Sequence, residues 1–195
     1  MRTLLPVLLA ISLTVTAYPA EKIFFTGYAL QYETVTAPES MKKNTTNVYD
    51  TLCVSAYAGV TILQWVDIYA GVSGSFFFVT NSIQNYYSFI PVYAGLKIRI
   101  MPEWAVHPAA FFNAGYGYNN FHASGYRRVG TNMVPYESDT SWNGLYYSFG
   151  GEVEWRYVEN VMLIARVEYT ATRRSNDISD DYRTLRLGLS WKNYF

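Results

Sequence analysis

Few side chains in this 195-residue chain are suited to covalent chemistry, since it holds two histidines and one cysteine. His122 and Ser124 stand two positions apart, so an extended strand would set them on one face. There the imidazole would take the hydroxyl proton while a carboxylate oriented the ring, the logic of nucleophilic hydrolysis. A His-x-Ser triplet arises easily by chance, however, and this one falls in a polar stretch, 119–142, read as a loop. His107, beside Pro108 and near a short turn, is expected to be an interface residue rather than a ligand. With so few His and Cys, no metal site and no cofactor is expected. Cys53 has no partner for an internal disulfide and reads as a buried, inert thiol. The larger chemical resource is charge at every second position: Glu33, Asp67, Lys97, Arg99, Glu152, Glu154, Arg156, Arg166, Glu168, Arg186 and Lys192. What those groups do depends on the elements that carry them.

Those elements are strands. From Leu185 to Phe195 the chain reads LRLGLSWKNYF, with Leu185, Leu187, Leu189, Trp191 and Phe195 on one face and Arg186, Gly188, Ser190, Lys192 and Tyr194 on the other. A period of two with an apolar and a polar face marks a half-buried strand. The same alternation predicts strands near 22–34, 51–62, 65–78, 87–101, 107–118, 143–157, 161–173 and 183–195. Each is long enough for a tilted strand to cross a bilayer, which takes about 9–11 residues. Leu52, Val54, Ala56, Ala58, Val60 and Ile62 form the apolar row of the second; Ile90, Val92, Ala94, Leu96, Ile98 and Ile100 form that of the fourth.

The other row of each segment carries the charges. By parity the eleven named above face a common interior, five acids against six bases, and buried charge is tolerable only when paired and hydrogen-bonded. Phe111, Tyr93 and Tyr146 add apolar lining. A soluble eight-stranded barrel would be apolar inside and polar outside. Here that would line a cup with Arg186, Lys192, Glu152 and Glu154 and leave rows of Leu and Val in water. A two-sheet sandwich is the other soluble alternative. The reading adopted is all-β: an eight-stranded, antiparallel, up-and-down transmembrane β-barrel.

Processing and composition agree with a membrane destination. Arg2, the apolar stretch Leu4 to Val15 and the small-residue site Val15-Thr16-Ala17 read as a signal peptide over residues 1–17, exported through the Sec pathway, with the barrel domain over 18–195. Net charge is zero, so no nucleic-acid partner is expected. Aromatic residues make up 18 % of the chain, 19 of them Tyr. Two aromatic belts would account for that: Trp65, Trp104, Trp155, Trp191 and Phe195 toward the short connections, and Tyr32, Tyr87, Tyr116 and Tyr169 toward the long ones. Bacterial barrels have short periplasmic turns and long external loops, so the alternation of connection lengths puts both termini in the periplasm. Tyr126, Arg127, Arg128 and Tyr136 in the third long connection, with Lys42 and Lys43 in the first, are candidates for binding phosphates outside the cell.

The pattern resembles the small bacterial outer-membrane barrels: the membrane domain of OmpA, OmpX, the opacity proteins and OmpW. The resemblance spans the mature chain and is sharpest in the last strand, which is similar to the signal read by the barrel assembly machinery. Phe195 fits that signal, while Asn193 stands where it usually has a hydrophobic residue. The chain stops at Phe195, so the peptidoglycan-binding domain of full-length OmpA relatives is expected to be absent. The resemblance implies a monomer in contact with outer-membrane lipids and lipopolysaccharide. It implies a structural or adhesin-like, non-enzymatic protein, with a side-chain-plugged polar lumen and four external loops. Two alternatives come with it. One is a narrow channel for ions or small, even hydrophobic, solutes, as in OmpW. The other is a lipid A deacylase, whose His and Ser two residues apart and following Glu would correspond to His122, Ser124 and Glu137.

Overall fold

The computed structural model describes residues 24–37, 50–78, 86–102, 104–174 and 182–195. The expected signal peptide, its cleavage site, Lys42 and Lys43 lie outside those residues. Eight strands follow one another: β1 (Phe24–Ala37), β2 (Asp50–Leu63), β3 (Val66–Phe78), β4 (Tyr86–Arg99), β5 (Val106–Val129), β6 (Asn132–Val158), β7 (Val161–Arg174) and β8 (Tyr182–Tyr194). Each pairs antiparallel with the next, and β8 returns to β1, so the sheet closes as an up-and-down barrel. At the seam Leu30 faces Leu189, Tyr28 faces Trp191, and the Phe195 amide donates to the Phe24 carbonyl at 3.0 Å. Closure leaves no edge along the barrel wall, as a sheet must if its backbone polar groups are to have partners in an apolar medium.

The two faces sort as the alternation predicts. Leu52, Val54, Ile68, Val72, Ile90, Val92, Leu96, Ile98, Phe112, Val153, Val167, Leu187 and Leu189 are all exposed on the outer surface. Among the described residues, ten formally charged Asp, Glu, Lys and Arg side chains are buried inside. A surface of this kind calls for hydrocarbon around it rather than water.

Two features of the fold differ from the sequence reading. The stretch 119–142 is not a loop: β5 and β6 run on as a hairpin to a two-residue turn, Gly130-Thr131, between the paired Val129 and Asn132. Gly130 has φ +64°, the left-handed conformation that a II′-type hairpin turn needs at its first central position. Beyond the last β4 partner at His122 and the last β7 partner at Gly144, these strands pair only with each other. The alternation is lost there, where the two strands no longer belong to the barrel wall, while the backbone ladder persists. From His122 to the turn the hairpin reaches roughly 20 Å at the rise of a strand.

The second difference is that aromatic residues fill the interior as well as ringing the outside. Phe25, Tyr57, Tyr69, Phe77, Tyr87, Phe89, Tyr93, Tyr146 and Tyr182 form one buried cluster. Tyr87, expected in an outer belt, points inward and is buried. Room comes from glycines directly across the ladder: Tyr57 lies between Gly27 and Gly71, Tyr69 between Gly59 and Gly95, and Tyr93 between Gly71 and Gly115. A Cβ on Gly27 would overlap the Tyr57 ring, whereas one on Gly74 would meet nothing within 4 Å. Gly27→Ala is therefore expected to destabilise the barrel by about 1–3 kcal/mol, the usual cost of overpacking. Gly74→Ala should leave stability unchanged or slightly raised. Urea unfolding in micelles, followed by Trp fluorescence, reads both; equal midpoints would show that the ring yields freely.

Candidate functional site

The lumen is the chemically dense part of the molecule, and it is built in tiers. Nearest the short turns, β3, β4, β6, β7 and β8 direct Asp67, Lys97, Arg99, Glu152, Glu154, Arg166 and Lys192 to one level. Glu154 takes Lys97 at 2.7 Å, Lys192 at 3.5 Å, His107 at 2.9 Å, and Arg99 through its Nε. Asp67 takes Lys192 at 2.7 Å, the Thr61 hydroxyl at 2.7 Å, and Arg99 through Nη2. Glu152 receives Arg166 at 2.8 Å and also contacts Lys97. Arg99 donates further to the Gln64 carbonyl at 3.0 Å and the Tyr194 hydroxyl at 2.9 Å, tying the network to the turn below it. The cations also sit on ring faces: Arg166 lies 4.2 Å from the Phe111 centroid and Lys192 4.3 Å from that of Phe25.

Above this floor a second tier joins Glu168, Glu33 and Arg186. Glu168 accepts from Ser148 at 2.6 Å, Gln31 at 3.1 Å and Asn113 at 3.3 Å. Glu33 accepts from Thr184 at 2.6 Å and from Ser75, and meets Arg186 Nε at 3.1 Å. Arg186 reaches Glu168 at 4.0 Å. Phe77, Tyr87, Phe89 and Tyr182 then stack across the bore on the hairpin side, with centroids 5.1–6.2 Å apart.

Ten of the eleven charged residues that parity directs inward lie buried in it. Arg156 does not. It keeps the inward parity, but it is exposed, at the register shift between Arg156 and Val158 where β6 ends at the short turn. Without it the described interior holds five acids (Glu33, Asp67, Glu152, Glu154, Glu168) and five bases (Lys97, Arg99, Arg166, Arg186, Lys192). His107 corrects the reading in the other direction. It is 2 % exposed and inward, between the Glu154 carboxylate and the Trp104 carbonyl. Parity with Ala109 and Phe111 would have placed it there. Gln31, Asn113, Ser148 and Thr184 went unremarked because neutral polar residues on an inward row carry no signal of a specific partner.

Outside the barrel, Trp65, Trp104, Trp155, Trp191 and Phe195 are all exposed toward the short-turn end. Tyr32, Tyr116 and Tyr118 stand exposed at the other end, with Tyr169 half-buried against Phe149. His122 and Ser124 lie in the hairpin on one face, with Asp139 directly across from His122 and Glu137 across from Ser124. The carboxylate bonded to the imidazole is thus Asp139, at 2.7 Å from Nδ1, rather than Glu137. Tyr126 is exposed, and Arg127 and Arg128 stand opposite Val134 and Met133 in the ladder.

No protein-family model matches the sequence, and no curated protein does. Solved structures do match. Neisserial surface protein A aligns at a TM-score of 0.59 with 13 % identity, over 88 % of this chain and 97 % of that one. The attachment invasion locus protein of Yersinia pestis aligns at 0.53 with 13 % identity, over 88 % and 99 %. A major outer-membrane protein from Thermus thermophilus also gives 0.53, at 10 % identity, over 88 % and 99 %. The chain has the fold of the small outer-membrane barrels. At such low identity the likeness lies in strand count, closure and order, and the lumen network has to be judged on its own geometry.

That geometry makes a sharp contrast between neighbours two residues apart. Glu154→Leu would leave the buried Lys97, Arg99 and Lys192 short of one counter-charge and is expected to cost about 3–5 kcal/mol. Arg156→Leu, on the same row but exposed, should change stability by less than about 0.5 kcal/mol. Heat-modifiability on gels and urea midpoints in micelles measure both; similar losses for the two would mean that Arg156 is as much a part of the network as Glu154.

Proposed function

We propose that this protein is a monomeric, non-enzymatic barrel of the bacterial outer membrane, structural or adhesive in role. In this reading it is a rigid cylinder with a plugged lumen that displays a long hairpin outside the cell. The observation that carries the reading is the filled bore: paired charges at one level, a carboxylate–guanidinium tier above, and crossed aromatic rings on top. Eight strands enclose little more than side chains can fill. The short-turn end, with its Trp residues, then faces the periplasm together with both termini. The hairpin end, with Tyr126, Arg127 and Arg128, faces outward toward lipopolysaccharide or another surface. The last strand is the feature the barrel assembly machinery would read. The Yersinia pestis neighbour has been crystallised with the heparin analogue sucrose octasulfate, and basic residues on the exposed hairpin suit a comparable contact.

The triad-like set in the hairpin speaks little for catalysis. The Asp139 side chain is 65 % exposed, so the carboxylate that pairs with His122 stands largely in water rather than in the low-dielectric pocket that makes such groups effective. Lipid A from expressing cells should keep its acyl pattern by mass spectrometry; loss of a chain that is abolished by Ser124→Ala would contradict this. Planar-bilayer recordings of the refolded protein should show no steady openings, and trypsin added to intact cells should cut at Arg127 or Arg128 while the barrel survives. Reproducible unitary currents would favour a channel. Cleavage only after the cells are permeabilised would reverse the orientation.

A further inference from the structure

The hairpin places three ligand-bearing side chains together. The potential ligand atoms of His122, Glu137 and Asp139 all lie within 4.8 Å of one another. His122 and Asp139 are directly paired across the ladder, and Glu137 lies two residues from Asp139 on the same face, opposite Ser124. The imidazole is held in place from beneath: the Tyr86 ring stacks on it with centroids 5.2 Å apart at an interplanar angle of 22°. The sequence reading expected no metal because it counted His and Cys alone. The hairpin ladder, absent from that reading, is what brings the carboxylates to the imidazole.

We propose that this face binds a divalent transition-metal ion of the zinc class. Two carboxylates converging on one imidazole leave a negative charge in excess, which a divalent cation would offset. An imidazole nitrogen with two carboxylate oxygens is a borderline N/O donor set. It suits zinc and its neighbours and is poor for magnesium and calcium, which prefer all-oxygen shells. Glu137 and Asp139 are exposed, so their carboxylates can turn onto an ion, while the His122 ring is held independently by the Tyr86 stack. Three protein ligands leave at least one coordination position for water or an external anion. Because the ligands come from both strands, the ion would clamp the hairpin where β5 loses its β4 partner. It would also sit just beyond the outer Tyr116 and Tyr118.

Zinc ion alone, titrated calorimetrically into untagged protein refolded in micelles, tests the proposal. One ion should bind per chain and saturate. Affinity should fall about tenfold or more in His122→Ala and in the Glu137→Gln, Asp139→Asn double variant. Glu159→Gln, at the opposite end of the barrel, should bind as the parent does. Magnesium and calcium, titrated separately, should give no saturable binding in the same range. All four positions are on the surface, and an unchanged heat-modifiable gel shift verifies that each variant is folded. The proposal is overturned by the absence of a saturable single zinc site, by equal affinity in His122→Ala, or by magnesium or calcium binding as tightly as zinc.

Discussion

The constraint on which the rest of this structure depends is the pairing of β8 with β1. Backbone amides and carbonyls within hydrocarbon have no water to turn to, so a sheet that crosses it must close on itself. Once Phe25–Ala37 and Arg183–Tyr194 complete the ring, the pleat assigns every side chain to one of two media. One row meets lipid and the other meets the opposite wall. Register errors are punished heavily, because a slip of one residue would turn Arg186 and Lys192 outward and Leu187 and Leu189 inward.

Closure also dictates what the interior must contain. Ten formally charged side chains sharing a space this narrow are tolerable only with their charges matched, and among the described residues five acids facing five bases meet that condition. Glu154 and Asp67 each gather several cations rather than one, so the pairs form a connected network instead of isolated bridges. Aromatic rings supply the remaining volume, and the glycines opposite them supply the room.

Much of this was legible in the sequence. Period-two alternation located all eight strands to within a few residues on the barrel wall, and parity alone brought Asp67, Lys97, Glu152, Glu154 and Arg186 to a common interior. The failures have physical causes. Beyond the barrel wall β5 and β6 pair only with each other, so hydropathy carries no period, and only the Gly130 turn marked the hairpin. Tyr87 misled because a tyrosine suits both an interface and a packed bore. Arg156 kept the inward parity, which says on which row a residue stands but not how far along the barrel axis that row stays enclosed. Asp139 beside His122 was invisible for a related reason, since cross-strand neighbours appear only once the register is known.

All of this rests on hydrocarbon as the medium around the outer rows of Leu, Val and Ile. Sedimentation of the purified chain with and without detergent, read together with heat-modifiability, is the most direct measurement. A folded, heat-modifiable monomer in micelles or bilayers and aggregation in plain buffer is the result this account predicts. A folded monomer that remains soluble in detergent-free buffer would contradict it.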